Sequence, residues 1–295
     1  PLETPMKIAL LGTGLMGAPM ARRLAAAGLE LAVWNRTRAK AEPLAAAGAR
    51  VADRAADAVR GVDAAITMLE HGDAVEEVLL GAAGVAAALP AGALLVDMSS
   101  IKPAQARRHA EALAARGVGH LDAPVSGGTV GAAAGTLAIM CGGGAADFER
   151  AQTLFAPLGR ATHVGPHGAG QLAKLANQMI VGITIDAVAE ALLLAERGGA
   201  DPARVREALR GGFADSRILE VHGQRMVEHD FAKRAAITVQ IKDLRNALST
   251  GAEFGFDAPI TRLFDQLYTS AAEHGWADAD HAGLWLELAR RNPPR

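Results

Sequence analysis

Short apolar runs recur through the first half of the chain, at 7–11, 31–35, 64–68, 94–97 and 119–122, and between them lie longer Ala-rich stretches with helical periodicity. The runs lack the polar alternation of strands with one wet face, so they predict a parallel sheet covered by helices on both sides. Two further runs, 136–141 and 161–164, flank a helical pattern over 145–155 and are expected to extend that sheet. After Gly165 the strand signals stop. An apolar pattern from Ala169 to Arg197 ends at Gly198-Gly199, and Asp201-Pro202 then supplies an N-cap followed by proline at the first helical position. More helices are expected near 203–210, 216–228, 238–254 and 259–274. The fold class is therefore α/β: an N-terminal domain of parallel sheet and covering helices over 1–164, followed by an all-α domain over 165–295. The helix at 169–197 is apolar around its whole circumference, so it should be buried between domains or subunits.

Composition narrows the partners. The 295 residues are enough for two domains with a substantial core, and the formal charge of −2 offers no basic field for nucleic acid or an anionic membrane. Small molecules are the expected partners. The start of the chain, with Pro1, Glu3 and Pro5, lacks the cationic and apolar segments of a signal peptide, and no apolar run reads as long and clean enough to span a bilayer. A single cysteine, Cys141, excludes an intrachain disulfide and fits a reducing compartment, so a cytoplasmic location is expected. It lies in an apolar run and reads as a core residue. The closest histidines, His163 and His167, are separated by Gly165-Pro166 and do not share a helix face, so no metal site is expected.

The segment Gly12-Thr13-Gly14-Leu15-Met16-Gly17 follows the first strand and opens a helix over 16–27 that stops at Gly28. In that context the glycines have separate uses: Gly12 makes the tight turn, Gly14 lets a pyrophosphate approach the backbone, and Gly17 allows close helix packing. The helix N-terminus stabilises the phosphate charge, so the domain over 1–164 reads as a Rossmann-type dinucleotide-binding domain. At the end of the second strand, where an acid would accept from a ribose 2′-hydroxyl, the chain has Asn35-Arg36-Thr37. Arg36 can pair with a 2′-phosphate and its neighbours can donate to it, so NADP(H) is the expected cofactor, with NAD(H) the alternative.

Two further segments suggest chemistry. In Asp122-Ala123-Pro124-Val125-Ser126-Gly127-Gly128 the glycines expose consecutive backbone N–H groups and Ser126 adds a hydroxyl, which suits a carboxylate; a plain turn is the alternative. Lys174 lies among Ala, Leu and Asn in the first turns of the 169–197 helix. A lysine in apolar surroundings loses hydration, which lowers its pKa towards a value useful for proton exchange with a substrate. Lys242, in Ile241-Lys242-Asp243-Leu244, reads by itself as a surface charge.

Together these four motifs, in this order and spanning essentially the whole chain, resemble the β-hydroxyacid dehydrogenases. The resemblance implies a 6-phosphogluconate dehydrogenase-like C-terminal domain, Lys174 as catalytic acid/base, and Ser126, Gly127 and Gly128 holding a substrate carboxylate. It also implies Met68-Leu69 and Ser99-Ser100 on the nicotinamide side and Lys242 at the cofactor and substrate end of the cleft. Asn177 or Gln178 would orient the substrate hydroxyl; many members carry Asn four positions after the lysine, where this chain has Gln178. Glu70 stands where members commonly have Pro, and Thr129 where tartronate semialdehyde reductases often have Glu. The expected reaction is reversible hydride transfer between NADPH and a small carboxylate-bearing aldehyde or ketone, by a homodimer or homotetramer. Imine reduction on the same organisation, and a non-catalytic binding module on the same fold, are the alternative readings.

Overall fold

The computed structural model describes residues 5–294, so Pro1 and Glu3, on which the reading of the N-terminus partly rests, lie outside the described residues. Among the described residues nine strands form one sheet: β1 Lys7–Leu11, β2 Glu30–Trp34, β3 Arg50–Val51, β4 Ala64–Thr67, β5 Leu94–Asp97, β6 Gly119–Asp122, β7 Val125–Ser126, β8 Leu137–Gly143 and β9 Gly159–Gly165. The order is β3-β2-β1-β4-β5-β6-β8-β7, with β9 on β8. The first six positions are parallel, each reached through a helical crossover. Residues along β1 alternate between two cores: Ile8 and Leu10 belong to one, Ala9 and Leu11 to the other. Burial on both faces explains the uninterrupted apolar runs.

The sheet departs from the expected parallel extension at β8, which runs antiparallel to both β6 and β7. The connection from Ser126 to Leu137 holds only the short helix Gly128–Ala134 and is too short for a parallel crossover. From β8 to β9 the chain passes through Ala145–Arg150 and Gln152–Phe155, which is long enough, and that pair is parallel. Cys141 lies inside β8 with no exposed surface, and burial pushes its thiol up to about 12, as an unreactive core residue requires.

The chain divides into two compact units after Lys174, inside the helix Ala169–Arg197. The first turns of that helix belong with the sheet because their backbone is hydrogen-bonded to Asp122 at the end of β6. The second unit is helical, with Pro202–Leu209, Arg217–Val227, Ile237–Glu253, Pro259–Ala271 and Leu284–Arg291 besides the remainder of the long helix. Asp201 caps the first of these by accepting from the N–H of Ala203 at 2.9 Å. The last of the helices in this unit, Leu284–Arg291, lies beyond those that the sequence pattern predicts.

Contrary to the reading that no run could span a bilayer, the helix Ala169–Arg197 is long and apolar enough by composition to do so. Ile185, Ala189, Leu192 and Leu193 instead lie in the core of the helical unit, while Ile180 and Leu194 are exposed. The same helix buries Asp186, whose carboxyl is pushed up to about 7 by burial, with the nearby Glu190 charge adding to the shift.

Candidate active site

The glycine turn after β1 is packed to its limit on the protein side. A Cβ on Gly12, whose φ is +104°, would stand 2.3 Å from the carbonyl oxygen of Met68, and one on Gly17 would stand 1.8 Å from the carbonyl oxygen of Gly12. Both positions therefore require glycine for the fold of the turn itself. Gly14 differs, since a Cβ there would meet nothing within 4 Å. Its lack of a side chain leaves open space beside the backbone at the helix start, where a pyrophosphate would approach. Thr13 is buried, and its hydroxyl has no partner among the described residues. An open backbone face and an orphaned hydroxyl fit a dinucleotide phosphate.

The second strand delivers Asn35, Arg36 and Thr37 beside this turn. Arg36 and Thr37 are exposed. Asn35 is also engaged within the protein: its Oδ1 accepts from the N–H of Thr13 at 3.0 Å and one N–H of its Nδ2 donates to the Thr37 carbonyl at 3.0 Å. The amide thus ties the two cofactor loops to each other.

Ser99 also proves internal. It is fully buried, and its Oγ accepts from the N–H of Leu69 at 2.9 Å, so of the expected pair only Ser100 is partly open. Its neighbour Asp97 accepts from Thr67 Oγ1 at 2.8 Å and from the Ser99 N–H at 3.0 Å. Burial raises the Asp97 carboxyl to about 6 against the lowering effect of these donors. Met68 and Leu69 are half-buried, held by this network at the end of β4.

Ser126 is half-buried, and Gly127 and Gly128 are exposed at the turn into Gly128–Ala134, on the segment that leaves Asp122. Asp122 is itself buried, and its two carboxylate oxygens accept from the N–H of Gly168 at 2.7 Å and of Gln171 at 2.9 Å. Burial pushes its pKa up and these two backbone donors pull it down. Lys174 stands half-buried one turn beyond Gln171 on the same helix. The turn, the Ser99 segment, the Ser126–Gly128 segment and Lys174 thus all fall within one compact unit.

The remaining expected residues come together in the helical unit. Gln178 is buried; its Oε1 accepts from Asn177 Nδ2 at 2.7 Å and its Nε2 donates to Asp243 Oδ2 at 2.6 Å. Asp243 also pairs with Lys242, Oδ1 to Nζ at 3.3 Å. Gln178 is thereby an internal link, whereas Asn177 is only half-buried. His163 and His167 each engage a backbone carbonyl, of Gly143 at 2.8 Å and of His120 at 2.9 Å.

Sequence reasoning assigned no role to Thr67, Asp97, Asp122, Gln171 or Asp243. The signal available for two of them was an acid at the end of a strand otherwise without charged residues, in Leu94–Asp97 and Gly119–Asp122, where an unpaired charge would be costly.

Residues 7–165 match the family described as the NAD binding domain of 6-phosphogluconate dehydrogenase, and residues 168–286 match that described as the NAD-binding domain of NADP-dependent 3-hydroxyisobutyrate dehydrogenase. The chain is 44% identical over 280 residues to 2-hydroxy-3-oxopropionate reductase of Escherichia coli K12, covering 95% of this chain and 96% of that one. The solved structure of 3-hydroxyisobutyrate dehydrogenase from Mycobacterium tuberculosis with L-serine superposes with a TM-score of 0.89 at 32% identity, covering 97% of this chain and 99% of the other. An imine reductase from Pseudomonas sp. shares the fold alone, with a TM-score of 0.64 at 20% identity over 97% of this chain and all of that one. This chain belongs to the β-hydroxyacid dehydrogenase family, the nicotinamide dinucleotide-dependent oxidoreductases that act on the CH–OH group.

Proposed function

We propose that the protein is an NADP(H)-preferring semialdehyde reductase, working reversibly on a small aldehyde or ketone that carries a carboxylate. The observation that carries this reading is the placement of Lys174, half-buried on a helix whose start is clamped by Asp122, immediately upstream of the Ser126–Gly128 segment. The bound nicotinamide supplies or accepts the hydride at the substrate carbon. Lys174 handles the proton: as an ammonium it donates to the oxygen as negative charge develops there, and as a neutral amine it removes the hydroxyl proton in oxidation. Ser126, Gly127 and Gly128 hold the carboxylate, which fixes the carbonyl near Lys174 and converts binding energy into orientation. Asn177 is better suited than Gln178 to orient the substrate hydroxyl, because Gln178 is buried with both ends of its amide engaged, whereas Asn177 is half-buried and its bond to Gln178 uses only one N–H. Tartronate semialdehyde leads the candidate substrates, on the strength of the E. coli relative. A panel of glyoxylate and succinic, tartronate and methylmalonate semialdehydes, each with NADPH and NADH, tests substrate and cofactor together; no turnover of any of them with either cofactor would refute the reading.

The cofactor preference rests on Arg36, exposed just after β2 in the segment Asn35-Arg36-Thr37, which itself carries no acid to repel a 2′-phosphate. Arg36→Ala is expected to weaken NADPH by about 10-fold or more, as loss of a charge-assisted contact implies, with NADH nearly unaffected. Equal losses for both cofactors, measured by fluorescence titration, would make Arg36 structural and remove the preference.

A homo-oligomer is part of the same reading. Ile180, Leu194, Phe213, Phe254, Phe256, Ile260 and Leu263, all of the helical unit, are exposed, and apolar surface of this kind commonly marks association. Light scattering at micromolar concentration is expected to give at least twice the 30.4 kDa chain mass. An active monomer would refute it.

A further inference from the structure

Gln171 has no exposed surface, and it is tied down on both its side chain and its main chain. Its Nε2 donates to the carbonyl of Ser99 at 2.9 Å, and its Oε1 accepts from the N–H of Ile101 at 3.0 Å. Its own N–H donates to Asp122 Oδ2 at 2.9 Å. One residue therefore joins the helix to the segment following β5 and to the end of β6. The segment following β5 is the one in which Ser99 holds Leu69, and the end of β6 is where the Ser126–Gly128 segment begins. The fit is close: a Cβ on the preceding Gly170 would lie 2.2 Å from the Asp122 carbonyl oxygen.

We propose that Gln171 is a positioning residue for the reaction, setting the rotation and height of the helix turn that presents Lys174. The inference rests on the reading of Lys174 as the acid/base. Lys174 is three residues further along, roughly 4.5 Å up the helix axis and on the adjoining side. A helix rotated by about 10° moves a point roughly 6 Å from its axis by about 1 Å. A displacement of that size at a reacting group can cost about 100-fold in rate. Capping alone would not need the buried amide, because Asp122 already satisfies two N–H groups of the helix start. What the Gln171 side chain adds is a second anchor, off the helix axis, which opposes rotation.

The test uses full-length enzyme with Gln171→Met and the isosteric Gln171→Glu, each alone and combined with Lys174→Ala. Active sites are counted by NADPH fluorescence titration, so that turnover is expressed per folded site. Each Gln171 variant is expected to lose about 10- to 100-fold in kcat per site while NADPH affinity stays within about threefold. In the Lys174→Ala background the same substitutions should cost less than about twofold further, since a residue that acts through the lysine has nothing left to position. A residue serving stability alone would lower the number of sites and leave kcat per site unchanged. Wild-type kcat per site in the Gln171 variants, or a full loss repeated on top of Lys174→Ala, overturns the inference while the catalytic reading stands. Wild-type turnover of Lys174→Ala itself overturns both. If the Met variant does not fold, the Glu variant decides, because it keeps the volume and the acceptor for Ile101 but sets a carboxylate oxygen against the Ser99 carbonyl.

Discussion

Lys174→Ala is expected to lower kcat by about two to four orders of magnitude, the range for losing a general acid/base, while NADPH affinity changes by no more than a few-fold. The separation follows from position. The expected dinucleotide contacts are on the turn after β1 and the end of β2, whereas Lys174 stands on the helix Ala169–Arg197, anchored through Gly168 and Gln171. Lys174→Arg makes the test sharper. Arginine keeps the positive charge but does not release its proton at working pH, so it should remain nearly as slow as alanine while retaining carboxylate-substrate binding. The pH dependence has a definite sign: as Lys174 loses its proton the rate of carbonyl reduction falls and that of alcohol oxidation rises. Stopped-flow measurement of NADPH consumption in reduction, and of NADPH formation from NADP+ in oxidation, checks this. Near-wild-type turnover of either variant would remove Lys174 from the chemistry.

Gly14→Val should weaken NADPH by about 100-fold with the apo-protein melting temperature essentially unchanged, and Gly17→Ala should lose both. The two glycines belong to one motif but serve different neighbours. At Gly17 a methyl group would collide with the backbone of Gly12, so the turn must open even without ligand, a strain costing about 1–3 kcal/mol or more. At Gly14 there is nothing in the protein to collide with. A side chain there fills space that a phosphate needs in order to reach the backbone, and 100-fold in affinity corresponds to about 2.7 kcal/mol. Calorimetric melting of the apo proteins together with NADPH titration measures both quantities. A Gly14→Val protein that binds NADPH normally would mean that the open face beside Gly14 is not where the phosphate lies.

The residues of this site were legible in the sequence to different depths, for physical reasons. The glycine turn could be read because backbone crowding admits only one residue type at Gly12 and Gly17, and such constraints leave a local pattern. Lys174 could be singled out because a charge among apolar neighbours is costly wherever it occurs. The parallel core of the sheet was equally plain, since strands buried on both faces must be continuously apolar. The antiparallel β8 was not, because strand direction depends on the length of the connection and on which edge is open when the strand arrives.

Polar side chains whose partners are far along the chain were the least visible. Gln171 and Asp122 are 49 residues apart, and Gln178 and Asp243 are 65 apart, so no local spacing relates them. The same holds for Asn35, read as a donor to the cofactor, and Ser99, placed on the nicotinamide side by the resemblance: their bonds to the backbone of Thr13 and Leu69 cross 22 and 30 residues. The sequence alone determined the fold class, the cofactor turn and the candidate acid/base. Tertiary structure decided which polar groups face outward and which hold the others in place, because a buried hydrogen bond is specified by two distant segments meeting and by neither of them separately.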